Sequence, residues 1–496
     1  MLKKKILVLI AIFICFLNQQ SYSQTLPPIS ADAARQLNTD VQTDNARNIN
    51  NANASILPYK SSEIESDMDT NTDSDNSSFV DAKESVQEDT SVNKEIQNPA
   101  ISKTIERIET NPSEILSDQD LETVTNPFIG KPITIETLNE ITNKITDLFR
   151  TKGFVTAKAY IPEQKIDHGV VKIQLVEGKV GQIYVEGNRW TKKNYILSKL
   201  REKPDKLLNL AHLEQDITKF NRDNSVKLRA NVKPGKEFGT TDLYIQAVDR
   251  NVWHLTPTFD NTGRDTIGVL RGGVSFKSDS LFGYRDQFVM GYSRAKSTNL
   301  AYSSYSIPIG NKGTRVGASF DFSSIKISNG PYKDFNIEGN AYNYSGFISQ
   351  DFINTPRFNF SGDLGVNFRQ STTFFQEIPL FTTQVRSLVA GLNFQLRDKY
   401  GYWSSRHSFN NGLDLLGGNV RYFKYNAYLT RVHSFGHGVL GIFRGAVQLT
   451  DDRLPPVEQF QIGGSSTVRG YSEGLLLGDN GYFLSAELRF PLMFLP

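Results

Sequence analysis

Residues Gln461 to Tyr471 read QIGGSSTVRGY, the centre of a longer run from Leu454 to Gly481, LPPVEQFQIGGSSTVRGYSEGLLLGDNG. Segments of strict two-residue alternation flank this run. On its far side Leu484, Ala486, Leu488 and Phe490 oppose Ser485, Glu487 and Arg489. A turn explains glycines such as Gly463 and Gly464, because Gly enters positive-φ backbone without steric cost. A turn does not ask for so long a connection. Nor does it ask for one arginine held among small and aromatic residues, as in Val468-Arg469-Gly470-Tyr471.

The same alternation extends upstream to about residue 252, in about twelve segments of roughly ten residues ending near Tyr482 to Leu492. Leu388, Ala390, Leu392, Phe394 and Leu396 share one face; Gly391, Asn393, Gln395 and Arg397 share the other. Val316, Ala318, Phe320 and Phe322 likewise oppose Gly317, Ser319 and Asp321. A strand tilted across a bilayer needs ~9–11 residues, apolar toward lipid and polar toward a wet lumen. A soluble sandwich also alternates, so the period alone decides nothing. Long polar faces favour the lumen. So does the mix of short turns, such as Gly310-Asn311-Lys312-Gly313, with longer loops.

Between 101 and 249 the composition is that of a globular chain, and two units follow one another at 101–178 and 179–249. In the first, Ile105 and Ile108 begin a strand. Ile135, Leu138, Ile141, Ile145, Leu148 and Phe149 then fall at helical spacing, opened by Thr134 and closed by Gly153. Strands are expected at Val155 to Ile161 and Val170 to Val176. The second unit repeats the order: Ile183-Tyr184-Val185, a helical stretch from Thr191, then Leu210, Leu213, Ile217 and Phe220, with strands near Val226 to Val232 and Leu243 to Val248. Each unit reads β-α-α-β-β, a repeated small α/β module.

The N-terminus is of another character. Lys3 to Lys5, an apolar run from Ile6 to Leu17 and Ser21-Tyr22-Ser23 give residues 1–23 the pattern of a secretory signal peptide. Its apolar run falls short of the ~20 residues a spanning helix needs. The only cysteine, Cys15, lies inside it, so the mature chain is expected to hold no disulfide and no thiolate metal site. Residues 24–100 carry 14 acidic against 5 basic residues, with Tyr59 and Phe79 as the only aromatics. Too little apolar surface is present there to offset the entropy of ordering, which predicts an acidic, disordered linker. Ser30 offers an N-cap for a helix through Ala31 to Leu37, within 30–48.

The loop from Leu454 to Gly481 resembles the signature loop of outer-membrane barrel transporters that carry POTRA domains. More narrowly, it is similar to that of the two-partner secretion transporters, the haemolysin secretion/activation protein family. Val468 to Tyr471, Gly463-Gly464 and Gly478-Asp479 carry the likeness, as do Phe259 to Gly263, Ser280 to Gln287 and, in the first small module, Gly153 to Gln164. The resemblance implies α+β periplasmic POTRA domains at 101–178 and 179–249, followed by an antiparallel transmembrane β-barrel at 250–496. It implies a plug helix near 30–48 as well. The family's barrel has sixteen strands and a Phe-x-Asp-x-Gly segment whose aspartate pairs with the loop arginine. That segment is absent before Pro496, so the sequence reads as a fragment, and Glu487 is the candidate partner for Arg469. Gly470 would permit the turn and Tyr471 would pack on the wall.

Nothing in the chain supports an enzyme. It has no Gly-x-x-x-x-Gly-Lys phosphate loop and no Gly-x-Ser-x-Gly elbow. His433 and His437 flank Gly436, where helical convergence on a metal does not apply, so no metal, cofactor or catalytic residue is expected. A formal net charge of +2 gives no field for nucleic acid. The small modules offer sheet edges able to take up an extended polypeptide, although no substrate-binding residue can be singled out; Phe149, Phe154 and Phe220 read equally as core. The resemblance implies export of an unfolded exoprotein of filamentous haemagglutinin or haemolysin type, without nucleotide, from an outer-membrane site. Outer-membrane lipids and the barrel assembly machinery would be the other partners. An outer-membrane protein assembly factor, a porin and a secreted β-adhesin are the competing readings.

Overall fold

The computed structural model describes residues 104–491, apart from 262, 331, 437, 465, 472 and 473. The expected signal peptide, plug helix and acidic linker, together with His437, lie outside the described residues.

The first α/β unit runs β1 (Arg107–Thr110), α1 (Asp118–Thr125), α2 (Ile135–Thr151), β2 (Lys158–Tyr160) and β3 (Val170–Val176). The sheet order is β1-β3-β2, with β3 parallel to β1 and antiparallel to β2. Thr134 starts α2 by accepting a hydrogen bond from the Thr137 N–H. Ile141, Ile145 and Phe149 then form one fully buried stripe against Val171, Ile173 and Leu175. Each such side chain contributes about 1.5–3 kcal/mol relative to exposure.

The second unit repeats this order with β4 (Lys179–Glu186), α3 (Lys193–Lys199), α4 (Leu210–Asp223), β5 (Lys227–Pro234) and β6 (Thr240–Val248), in sheet order β4-β6-β5. Leu213, Ile217 and Phe220 of α4 close its core on Leu228, Leu243 and Ile245. The two units meet at Asn209. Its Oδ1 caps α4 through the His212 N–H (3.2 Å), while its Nδ2 donates to the Lys152 carbonyl (3.4 Å) at the end of α2.

Twelve strands then form one antiparallel sheet. They are β7 (Trp253–Asp260), β8 (Arg271–Ser278), β9 (Gln287–Ala295), β10 (Thr298–Ile309), β11 (Thr314–Lys326), β12 (Ile337–Asn354), β13 (Phe358–Phe375), β14 (Ile378–Asp398), β15 (Gly401–Gly412), β16 (Tyr422–Gly436), β17 (Val439–Leu449) and β20 (Gly481–Arg489). Each pairs with the next in chain order, β17 with β20. Among the described residues, β7 and β20 each have one neighbour. Two short strands, β18 (Phe460–Ile462) and β19 (Leu476–Gly478), pair with each other inside the β17–β20 connection.

The two faces of this sheet are the reverse of a soluble protein's. Leu364, Leu388, Leu392, Leu396, Phe443, Leu484 and Leu488 are exposed, while Asp321, Ser323, Asn343, Ser371 and Thr373 are buried on the other side. Apolar residues outside and polar residues inside are what a barrel in lipid requires. No helix among the described residues is long and apolar enough to cross a membrane.

The second α/β unit docks beneath the barrel on three turns. Lys192 N donates to Gly283 O (2.8 Å) and Ser280 Oγ to Trp190 O (2.9 Å) at the β8–β9 turn. Asn311 Nδ2 donates to Ser198 O (2.9 Å) at the β10–β11 turn, and Asn354 Nδ2 to Asp223 Oδ1 (2.7 Å) after β12. Arg285 crosses from the first turn into the unit, where it is buried and donates to Ser225 Oγ.

Candidate functional site

The β17–β20 connection folds back against the polar face of the barrel wall. Its two legs are joined by the β18–β19 pairing, Phe460 opposite Gly478 and Ile462 opposite Leu476. Phe460 also packs on Phe483 of β20, ring centroids 6.5 Å apart, and a side chain at Gly481 would collide with it. That close approach explains why glycine stands at Gly481.

Pro455 and Pro456 start a short 3-10 turn over Pro456–Glu458, which carries Glu458 to the wall. Arg369 Nη1 of β13 donates to Glu458 Oε1 (2.9 Å) and to Val457 O (3.0 Å). Lys424 Nζ of β16 lies 2.7 Å from Glu458 Oε2 and donates to Glu458 O (2.8 Å). Gln448 Nε2 of β17 reaches Glu458 O (3.1 Å) and Asp479 O (2.9 Å). All three charged groups are buried. Burial of charge is tolerated only with such pairing and with the remaining acceptors filled. Leu454 and Val457 pack beside them on Val385 and Tyr422.

Arg469 lies farther out. Glu487 pairs with Ile442 across β17–β20, and Ile442 shares its side of β17 with Gln448. Glu487 therefore sits on the face turned to the loop. Arg469 Nη2 donates to Glu487 Oε2 at 2.5 Å, and Arg489 Nε donates to Glu487 Oε1 at 2.8 Å. The structure thus brings Arg469 and Glu487 together. The Arg469 side chain is 68 % exposed and that of Glu487 21 %. Gly463, Gly464 and Gly470 all hold positive φ, and the space around Gly470 is open, so backbone conformation rather than crowding calls for glycine there.

Val468 and Tyr471 are both exposed, and Tyr471, at 61 %, does not pack on the wall as the sequence reading expected. A tyrosine in a water-filled lumen keeps its hydroxyl hydrated, so packing gains it little. Phe149 lies in the core of the first unit, with Phe154 packed against it, and Phe220 in the core of the second, which leaves no aromatic among them free for a ligand. Among the described residues no group of acidic, histidine or cysteine side chains is placed to hold a metal. The sequence reading missed Glu458, Arg369 and Lys424. The signal was one of three carboxylates in a Gly/Pro-rich loop, whose cations sit on strands far away in sequence.

Residues 239–496 match the family described as haemolysin secretion/activation protein ShlB/FhaC/HecB, and residues 103–178 match the ShlB-type POTRA domain. The heme/hemopexin transporter protein HuxB of Haemophilus influenzae is 24% identical over 412 residues, covering 78% of this chain and 72% of that protein. The structure of CdiB from Escherichia coli aligns with a TM-score of 0.54 at 21% identity, over 82% of this chain and 79% of that one. CdiB from Acinetobacter baumannii aligns with a TM-score of 0.56 at 18% identity, over 95% and 87%. At these identities the structural likeness speaks for the fold.

Proposed function

Because the chain belongs to the haemolysin secretion/activation protein family, with its barrel in the outer membrane and its POTRA region in the periplasm, we propose that it exports an unfolded exoprotein partner. The partner is captured in the periplasm by the α/β units and passed outward through the barrel. One observation carries this reading. An arginine-bearing loop is tethered to the polar wall of the barrel, and an α/β arm docks on the barrel's turns. A simple diffusion channel has no use for either part.

The α/β sheets supply edges at β1 and β2 and at β4 and β5. An extended polypeptide added to such an edge gains main-chain hydrogen bonds with little demand on sequence, which suits an unfolded cargo. Folding of the cargo outside would draw export forward without nucleotide. The relatives' names point to haemolysin-like or heme-binding cargo as the class to test first.

The experiment co-expresses the chain with a candidate exoprotein of that class and measures the exoprotein's release into the medium. The reading expects release only when both are present, with other outer-membrane proteins at normal levels. Release independent of the chain would contradict it. Loss of many outer-membrane proteins on deletion would favour an assembly factor instead.

A further inference from the structure

We propose that the second α/β unit and the barrel move as one rigid body, and that the arm bends between its two α/β units. On the export reading, this keeps the second unit fixed at the barrel while the first swings to meet a partner.

A barrel residue completes the core of the second unit. Tyr284, in the β8–β9 turn, packs against the cluster that holds Tyr195, Ile196, Leu213 and Phe220. Lys192 Nζ lies over the Tyr284 ring, 4.2 Å from its centroid, a cation–π contact between unit and barrel. Gly283 holds φ +86°, and a Cβ there would stand 2.9 Å from Lys192 Cγ, so the turn runs close against the start of α3. Arg285 holds φ +56°, a left-handed conformation that a non-glycine residue keeps only where its surroundings fix it. They do so here. Its side chain enters the second unit at Ser225. The buried Asp286 carboxylate accepts from Phe282 N (3.0 Å), Tyr284 N (3.1 Å) and Tyr305 Oη of β10 (3.2 Å).

Two further turns hold the same unit. At the β10–β11 turn Lys199 of α3 donates to Gly310 O, Lys219 of α4 to Asn311 O (2.8 Å) and Asn311 Nδ2 to Ser198 O (2.9 Å). After β12, Asn354 Nδ2 donates to Asp223 Oδ1 (2.7 Å). Trp190 also meets Trp253 of β7 edge to face, ring centroids 6.0 Å apart. A body held at one place can pivot about it. One held at three turns, with its core completed by one of them, turns only by breaking them.

The two α/β units are joined differently. Among the described residues their hydrophobic cores share no member. Glu177 and Gly178 link β3 to β4, and Asn209 and Leu210, adjacent in the chain, donate across the joint to Lys152 O (3.4 Å) and Gly153 O (3.1 Å). Domains joined without a large apolar interface move relative to one another. The bend therefore falls at this joint.

Pulsed dipolar EPR on the full-length protein in detergent tests this, in a Cys15→Ser background so that only introduced thiols carry spin labels. Glu136, Glu214 and Lys399 are exposed positions on the first unit, the second unit and the β14–β15 turn. Glu214→Cys with Lys399→Cys should give one narrow distance distribution. Glu136→Cys with Glu214→Cys should give one about twice as wide, as expected of units free to move. Tyr284→Ala should widen the first distribution and leave the second as it was. Lys219→Ala with Asn311→Ala supplies the same reading should Tyr284→Ala not assemble. Equal widths for the two pairs would overturn the proposal, as would a first distribution unaffected by either variant. These distances are read without any exported partner, so they stand or fall separately from the export reading.

Discussion

Arg285 Nη1 stands 3.7 Å from Asp249 Oδ1, and both side chains are buried where the β8–β9 turn enters the second α/β unit. Desolvation lowers the Arg285 pKa, with Asp249 as its largest opposing influence, so the arginine depends on that carboxylate for its charge to be tolerated. The Arg285 carbonyl also accepts from Arg315 of β11 (3.4 Å), which links the same residue to the barrel wall. Arg285 thus joins arm and barrel, its side chain reaching into the arm and its carbonyl bonded to the wall. Arg285→Ala should destabilise this junction by about 3–5 kcal/mol, the usual cost of breaking a buried pair. The expected result is proteolytic release of the arm from a barrel that stays heat-modifiable, with export lost.

Arg469 and Glu487 call for a different experiment, because their pair is exposed and shared with Arg489. A pair of this kind contributes only about 0–1 kcal/mol to stability. Arg469→Ala and Glu487→Gln should therefore assemble in the membrane at wild-type levels and fail in export. A charge exchange, Arg469→Glu with Glu487→Arg, should recover part of the activity. Normal secretion by Arg469→Ala would refute the assigned role.

Gly153 lies where the two α/β units touch, its carbonyl accepting from Leu210 N (3.1 Å). It holds φ +88°, and a Cβ there would lie 2.7 Å from Asn209 Oδ1, the atom that caps α4. Gly153→Ala should cost about 1–3 kcal/mol of strain and push Asn209 off the cap. Small-angle scattering of the intact protein in detergent should show a changed arm, with the barrel signal unaltered.

Asp120 reports on the first unit by pH. The Lys152 ammonium, with the Ser117 N–H and hydroxyl, holds its carboxyl down from the ordinary 3.8 to about 2. The folded pKa lies below the unfolded one, so this contribution is complete above pH 3.8 and is lost as pH falls through about 2. Hydrogen exchange in α1 should accelerate within that window, and Asp120→Asn should remove the dependence. Acceleration confined to higher pH would contradict the assignment.

The sequence made the strands legible because the outward faces of β14 and β20 alternate without a break, and because Gly310 to Gly313 marks a short turn. α2 and α4 were legible through their apolar stripes. α1 was not placed, since Leu121 is its one buried large apolar residue and its start rests on the reciprocal bonds of Ser117 and Asp120. The expected strand from Val155 shortens to β2 at Lys158–Tyr160, because Phe154 and Ala157 are taken up in the turn that follows α2. Arg469 could be found as a motif, and Glu487 by alternation along its strand. Glu458 could not, because Arg369 and Lys424 come to it only through the curvature of the sheet. Pairing across a sheet is visible in a sequence; convergence across a lumen is not.

Single-channel recording of the purified full-length protein in a planar bilayer tests the central claim most directly. A lipid-embedded barrel occupied by an arginine-tethered loop predicts discrete openings, more frequent in Arg469→Ala than in the wild type. A protein that stays dissolved without detergent and gives no conductance would contradict the account.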